Sequence, residues 1–328
     1  MPSLKEIKGR INSVRSTLKI TSAMKMVASA KLHHAQGAIA NMLPYERKLH
    51  DVLVHLMAGR DAAGAAAAGS AGAFATGSAG AATSSVGAFA TGSAGAAASG
   101  SATASDSSAL MEQREVHRVA IIAFASNSSL CGAFNSNAVR AVKDVISEYR
   151  SAGLAPSDIT VYSIGRKMAD AMRRLGYPSP EDYFKLSDKP SYAPAAELAQ
   201  KVMDLYLDGT YDRVELVYNH FVSTSSQPSV RETYLPLSLP DGEGECDYIV
   251  EPSREELLGR LMPLSTRLKV YTVLLDTSAA EHAARTVAMQ IATDNGNELL
   301  SDLTLEYNKG RQQKITSEIL DIVGGSLQ

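Results

Sequence analysis

Near the start of the chain, apolar residues fall at Leu4, Ile7, Ile11, Val14 and Leu18, and Thr21 continues the spacing. Alternating steps of three and four mark the seam of a coiled coil. Beyond Thr21 the seam slips toward Met24, Val27, Ala28 and Leu32. Ser3-Leu4-Lys5-Glu6 reads as a capping box, with Ser3 as the cap and Glu6 reaching back. From 3 to about 58 the only proline is Pro44, which predicts one helix of roughly 80 Å. A helix that long requires a partner.

The other end of the chain supplies one. Pro252-Ser253-Arg254-Glu255-Glu256 is a helix-start signal, and from there to Leu327 the only proline is Pro263. A continuous helix would run roughly 110 Å, with Pro263 and Asp294-Asn295-Gly296 expected to bend or loosen it. Val287, Ile291, Leu299, Leu303, Ile315, Ile319 and Ile322 form an intermittent apolar seam, weak at 294–298 and 308–314. A long helix this polar over a turn or more is either solvated or surrounded by another protein.

Between these ends the period changes. His117–Ala125 is a buried-strand run, followed by a predicted helix at Asn135–Tyr149, a strand at Asp158–Ile164 and helices at Arg166–Leu175 and Ala193–Leu207. Strands follow at Tyr211–Val222, Ser229–Leu237 and Asp247–Val250. Alternating strands and helices imply a sheet with parallel pairs covered by helices, with the terminal helices lying outside and bracketing it.

Composition adds a fourth segment. Ala62–Ser105 holds 20 Ala, 9 Gly, 8 Ser and 4 Thr among its 44 residues and no charge. Ser70–Ser84 and Ser85–Ser99 are identical at 13 of 15 positions. With one Phe per repeat there is no face to stack, so the tract reads as an insertion without chemistry, or as a weakly ordered contact segment. The 32 basic and 35 acidic residues nearly balance, but unevenly: residues 1–41 carry a net of +6 and the last 50 a net of −3. The basic face is either solvated and drawn to its partner helix, or docks against acidic partner surfaces. No apolar run suits a membrane span and no secretory leader is expected. Cys131 and Cys246 are too few for a disulfide framework, and the sequon at Asn127-Ser128-Ser129 is then without meaning.

Chemistry is hard to find. No phosphate-binding G-x-x-x-x-G-K-[ST] occurs, and Gly242-Glu243-Gly244 leads into a strand rather than a helix. Ser126–Asn135 follows the first strand, where open sheets bind ligands, but its one glycine, Gly132, fits turn chemistry better. His33 and His34 point about 100° apart, and His50 and His55 also lack the i, i+4 spacing that chelates a metal. Cys131 has no basic neighbour in sequence to activate it and reads better as a small buried or loop cysteine. No catalytic, cofactor or metal site is expected, and the chain reads as a protein that is not an enzyme acting alone.

ITSAMKMVASAKL at Ile20–Leu32, ITSEILDIVGGS at Ile315–Ser326, LCGAFN at Leu130–Asn135, and the stretches EHAARTVAMQIATDNG and LEYNKGRQQKITSE near the end carry a resemblance. Together they resemble the gamma subunit of F-type ATP synthase, of bacterial type, over nearly the whole chain apart from residues 62–105. The resemblance implies a central α/β, Rossmann-like domain at 106–252 and an antiparallel coiled coil of helices from 1–61 and 253–328. It implies a non-catalytic rotary shaft inside a ring of alpha and beta subunits, with epsilon and the c-subunit ring at its base. It implies no cofactor and no nucleic acid, and a peripheral place on the cytoplasmic side of the cell inner membrane. Proton flow would turn shaft and ring, driving ATP synthesis at the beta sites.

Residue by residue, the resemblance places Met24 and Lys25 where the shaft meets the acidic beta lever, with Arg285 on the facing helix. Arg311, Gln312 and Thr316 match the segment that engages a loop of the ring, and Cys131 matches a position near a beta subunit. Ser129 replaces the family's usual glycine before LCG, and the cysteine pair of the light-regulated chloroplast form is missing. Two other readings stay open: a coiled-coil scaffold with a ligand-sensing head, and a dinucleotide enzyme with an atypical loop. Copurification separates the three.

Overall fold

The computed structural model describes residues 3–69, 109–238 and 250–325. In chain order the elements are α1 (Leu4–Gly69), β1 (Val119–Phe124), α2 (Phe134–Ser151), β2 (Ile159–Ile164), α3 (Arg166–Arg174), α4 (Phe184–Asp188), α5 (Tyr192–Leu207), β3 (Arg213–Asn219), β4 (Ser229–Leu235) and α6 (Arg254–Gly325). α1 therefore takes in the first residues of the Ala/Gly/Ser tract, and the rest of the tract lies outside the described residues. Cys246 and most of the strand expected at Asp247–Val250 also lie outside them.

Both long helices start on serine caps. The amide of Glu6 donates to Ser3 Oγ at 3.3 Å and that of Glu256 to Ser253 Oγ at 3.2 Å, satisfying donors with no carbonyl inside the helix. The Glu6 carboxylate does not reach back to complete the box; it pairs with Arg10 at 2.9 Å. α1 is helical through Pro44, and α6 through Pro263 and Asp294-Asn295-Gly296. Tertiary packing outweighs the local breakers: Pro263 is buried, and Leu18 packs against Gly296.

The two helices run antiparallel and meet along most of α1. Leu4 sits against Gly310, Ile7 and Ile11 cluster with Leu303, and Leu18 faces Gly296. Thr21 meets Thr293, Leu32 and Ala35 cluster with Ala279 and Ala283, and Glu46 pairs with Lys269. The partner number falls as the α1 number rises, residue for residue. The seam at Leu4–Leu18 is the one that the alternating spacing predicts.

The sheet has the order β2-β1-β3-β4. β1 is parallel to β2 (Val119 opposite Ile159) and to β3 (Val119 opposite Arg213), while β4 runs antiparallel along β3 (Tyr218 opposite Val230). β1 is buried at every residue, as a central strand covered on both faces must be. Val119, Ile121 and Ala123 face Val142, Val145 and Ile146 of α2 and Met168 and Met172 of α3. On the other face, Ala120, Ile122 and Phe124 join Leu198 and Val202 of α5, Leu49, Leu53 and Leu56 of α1, and Met262, Leu268 and Val273 of α6. Expected outside the α/β domain, the terminal helices instead complete its core, because α5 by itself covers only part of that sheet face.

A charged cluster is buried where β3 meets α2. Glu215 has no exposed surface and accepts from Arg231 Nε at 2.7 Å and Nη2 at 2.8 Å, and from the Tyr149 hydroxyl. Burial, with the adjoining carboxylate, pushes Tyr149 up to about 12. The acid thereby ties β4 and α2 to β3.

Candidate functional site

The candidate surface is the shaft itself, from the free end of α6 down to its junction with the sheet. α1 begins at Leu4, which packs on Gly310, so among the described residues α6 continues beyond its partner as a single helix. That extension, 311–325, amounts to roughly 22 Å. Arg311, Gln312 and Thr316 are all exposed on it, with the Thr316 hydroxyl donating to the Gln312 carbonyl at 2.9 Å. Ile315, Ile319 and Ile322 repeat at helical spacing and are 47%, 55% and 71% exposed. Large side chains left uncovered in a row mark a surface that another protein covers.

Further down, Ile20, Met26 and Val27 of α1 and Ile291, Leu299 and Leu305 of α6 are also exposed. Met24 and Lys25, between them, are half-buried. Lys25 Nζ donates to Gln290 Oε1, and the Gln290 amide donates to both Asp294 oxygens at 2.8 and 2.9 Å. The ammonium is thus engaged across the helix pair.

At the junction, Arg285 is a clamp. Its guanidinium donates to the Ser129 carbonyl at 2.7 Å, to Ser128 Oγ at 2.8 Å and to the Glu281 carboxylate. Burial raises Glu281, and Arg285 opposes that shift. The loop after β1 is thereby fixed to α6. Its backbone is left-handed at Leu130 (φ 69°) and Gly132 (φ 57°), whereas Ser129 is not, so serine in place of glycine carries no left-handed strain. Cys131 is buried against Phe134 and Ala280, with Asn135 Nδ2 donating to its sulfur at 3.0 Å. Outward, the loop presents Leu130, 58% exposed, rather than the thiol.

Sequence reasoning missed Asp276 and His220. Asp276 Oδ1 accepts the Phe221 amide at 3.0 Å, and its Oδ2 lies 2.6 Å from His220 Nδ1, which joins the end of β3 to α6. About two helical turns earlier on α6, Lys269 pairs with Glu232 of β4 at 3.0 Å. Burial pulls Lys269 down, but Glu232 and Glu46 outweigh it and hold it above its ordinary range. A cavity of about 1050 Å³ opens between α1, α6 and the β3–β4 pair, lined by Glu46, His50, His220, Glu232, Lys269 and Asp276. No motif signals these ties, because each partner sits on a different element. Among the described residues no group of three His, Cys, Asp or Glu is placed to hold a metal, and no helix is long and apolar enough to cross a membrane.

His282 lies on the same stretch of α6. Burial, with Lys31 and Arg285 adding, lowers it to about 4 from 6.5, and its Nδ1 has no hydrogen-bond partner among the described residues. The unfolded imidazole takes up its proton first, so this group makes stability rise with pH between about 4 and 6.5 and adds no slope above. His282→Gln is expected to flatten the stability profile in that window. Denaturant midpoints measured across it check this, and identical slopes in both chains would refute the assignment.

Compared with known proteins, residues 3–327 match the family model described as ATP synthase. The chain is 47% identical to the ATP synthase gamma chain of Bacteroides thetaiotaomicron and 47% to that of Phocaeicola vulgatus, covering all of each sequence and all of this one. It is 37% identical to the gamma chain of Christiangramia forsetii, over 99% of this chain and 98% of that one. Among solved structures it superposes on a chain of the Euglena gracilis mitochondrial ATP synthase (OSCP/F1/c-ring, rotational state 3) with TM-score 0.60. That match has 20% identity and covers 99% of this chain and 93% of the other. A chain of the Euglena gracilis rotor in rotational state 1 gives 0.57 at 19% identity, over 95% of this chain and 98% of the other. At such identities the structural likeness concerns the fold.

Proposed function

We propose that this chain, which belongs to the ATP synthase gamma-chain family, is the central rotary shaft that couples proton-driven rotation to ATP synthesis. The chain itself is non-catalytic in this reading. The observation that carries it is the bare end of α6: a single helix standing roughly 22 Å beyond its partner with Ile315, Ile319 and Ile322 uncovered. A rod of this kind suits the bore of a ring of alpha and beta subunits. The α/β domain forms the foot, resting on the c-subunit ring beside epsilon, which makes the chain a peripheral protein on the cytoplasmic side of the inner membrane.

Contacts divide along the rod. Arg311, Gln312 and Thr316 face the ring at the tip, and Met24 meets the beta lever together with exposed Met26 and Val27. Lys25 and Arg285 act first within the chain, through Gln290 and through Ser128–Ser129. At the LCGAFN loop the outward contact is Leu130 rather than the buried Cys131. The four segments 1–61, 62–105, 106–252 and 253–328 serve as shaft strand, insertion, foot and second shaft strand, with the helices shared between shaft and foot core.

Reconstitution tests the role. Mixed with alpha and beta subunits, the chain is expected to copurify as a stoichiometric complex that shows ATP-driven rotation. A chain that stays alone, or binds another large partner instead, contradicts the shaft. Deleting residues 62–105 removes no charged group and is expected to leave rotation intact; a shortened chain that assembles but does not turn would show that the tract matters.

A further inference from the structure

The contact between α1 and α6 is apolar at both ends and polar in the middle. Toward the tip, Ile7 and Ile11 pack on Leu303; toward the foot, Leu32 and Ala35 pack on Ala279 and Ala283. Such contacts are non-directional and fix an alignment less sharply than paired polar groups do. Between them, no residue of α1 from 12 to 27 is fully buried. Two features there are particular to one alignment.

The first is a pair of sockets. Leu18 Cδ2 lies 2.6 Å from where a Cβ on Gly296 would be, and Leu4 Cδ2 lies 3.2 Å from that of Gly310. Leu4 and Leu18 are two heptads apart, and so are Gly296 and Gly310. A slide of one heptad toward the foot would place Leu4 and Leu18 over Leu303 and Met289, and one toward the tip over Ser317 and Leu303, all of which have side chains where the glycines leave room.

The second is a polar layer beside the Leu18 socket. Thr293 Oγ1 lies 3.2 Å from Thr21 Oγ1, each hydroxyl also reaching a carbonyl of its own helix (Met289 at 2.8 Å, Leu18 at 3.1 Å), and Lys25 donates to Gln290, whose amide in turn holds Asp294. The threonine hydroxyls and the Gln290–Asp294 pair are satisfied within their own helices in any register, whereas the Lys25–Gln290 contact forms only when Lys25 is level with Gln290. One heptad toward the foot, Lys25 would lie beside Ala283 instead. A polar group in a coiled-coil seam sets register at some cost in stability.

We propose that the two leucine-on-glycine sockets and the Thr21–Thr293, Lys25–Gln290–Asp294 layer together lock the register of the shaft, making these positioning residues. Register sets how far α6 stands clear of α1: one heptad of slip moves the tip by roughly 10 Å. The inference concerns the helix pair itself and does not depend on what surrounds the tip.

Disulfide trapping in the full chain tests it. Ile7→Cys with Tyr307→Cys reports the native alignment, because Ile7 and Tyr307 are level in the register that sets Leu4 on Gly310 and Leu18 on Gly296. Ile7→Cys with Leu300→Cys, and Ile7→Cys with Lys314→Cys, report slips of one heptad in either direction. Cross-links are mapped by peptide mass spectrometry, which tells them from products of Cys131 and Cys246. With the lock intact, only the native pair closes. In a chain carrying Gly296→Leu, Lys25→Met and Gln290→Leu, the slipped pairs are expected to rise on the order of tenfold, the factor that losing a charge-assisted hydrogen bond corresponds to. Should that chain fail to fold, Lys25→Met with Gln290→Leu alone, near-isosteric and apolar, decides by the same readout. Native cross-links only, in a variant with unchanged helical circular dichroism, overturn the proposal.

Discussion

Gly165→Ala is expected to be among the most damaging single substitutions in the α/β domain, although it adds one methyl group. Gly165 links β2 to α3 with φ 98°, a backbone setting that side chains disfavour. A Cβ there would lie 2.1 Å from the Ala125 carbonyl oxygen and 2.8 Å from its carbon, far inside contact distance. Neither backbone is free to give. The Ala125 amide donates to Ile164 at 2.9 Å, and the Lys167 amide donates to the Ser126 carbonyl at 3.2 Å. The Arg166 amide donates to Asn127 Oδ1 at 2.9 Å, and Ser187 Oγ donates to the crowded carbonyl itself at 3.1 Å. Backbone strain of roughly 1–3 kcal/mol adds to a similar cost of overpacking, together about 4 kcal/mol.

Gly176 provides the comparison. It closes α3 at φ 87°, yet a Cβ there meets nothing within 4 Å. Gly176→Ala should therefore cost only the conformational penalty, about 1 kcal/mol. Urea unfolding of the two variants separates crossing backbone from dihedral preference. Equal losses at both positions would mean that the close approach to Ala125 carries no weight.

The contrast between these glycines shows why some of the fold was legible in the sequence and some was not. Leu4, Ile7, Ile11, Val14 and Leu18 announce their seam because helical periodicity is local, and each of β1, β2, β3 and β4 is an apolar or alternating run bounded by turns. At Pro263 the helix continues, with the proline buried in the core. Nothing local distinguishes Gly165 from Gly176, since the difference is a carbonyl forty residues earlier in the chain. The same holds for Glu215, whose partners Arg231 and Tyr149 come from other elements. Arg285 was legible as a residue of consequence only through the motif around it, and its partners Ser128 and Ser129 lie on the far side of the sheet's first crossover. Family membership was plain from long motifs at both ends, while the assignment of Leu130 rather than Cys131 to the loop's outward face needed the burial of the sulfur.

Asp276→Ala is expected to weaken the joint through which rotation passes from foot to shaft. The carboxylate is buried, and it is the acceptor for the Phe221 amide at 3.0 Å as well as the partner of His220 at 2.6 Å. Truncation leaves a buried backbone donor without its acceptor and removes a charge-assisted contact, together roughly 2–4 kcal/mol. Asp276→Asn retains an oxygen for Phe221 and should lose only part of this. Position matters as much as magnitude. Along α6, Lys269 holds β4, Asp276 holds the end of β3, and Arg285 holds the loop after β1, so three separate strands are tied to one helix. The apolar contacts beneath resist separation of helix and sheet but give little resistance to sliding, whereas directional ties oppose it. In the proposed role, loosening them lets the foot turn through an angle before the shaft follows. Membranes carrying the complex with Asp276→Ala and Arg285→Ala should therefore retain ATP hydrolysis and lose a disproportionate share of ATP-driven proton pumping. If hydrolysis and pumping fall in step, the joint limits assembly or stability alone, and torque passes from foot to shaft by another route.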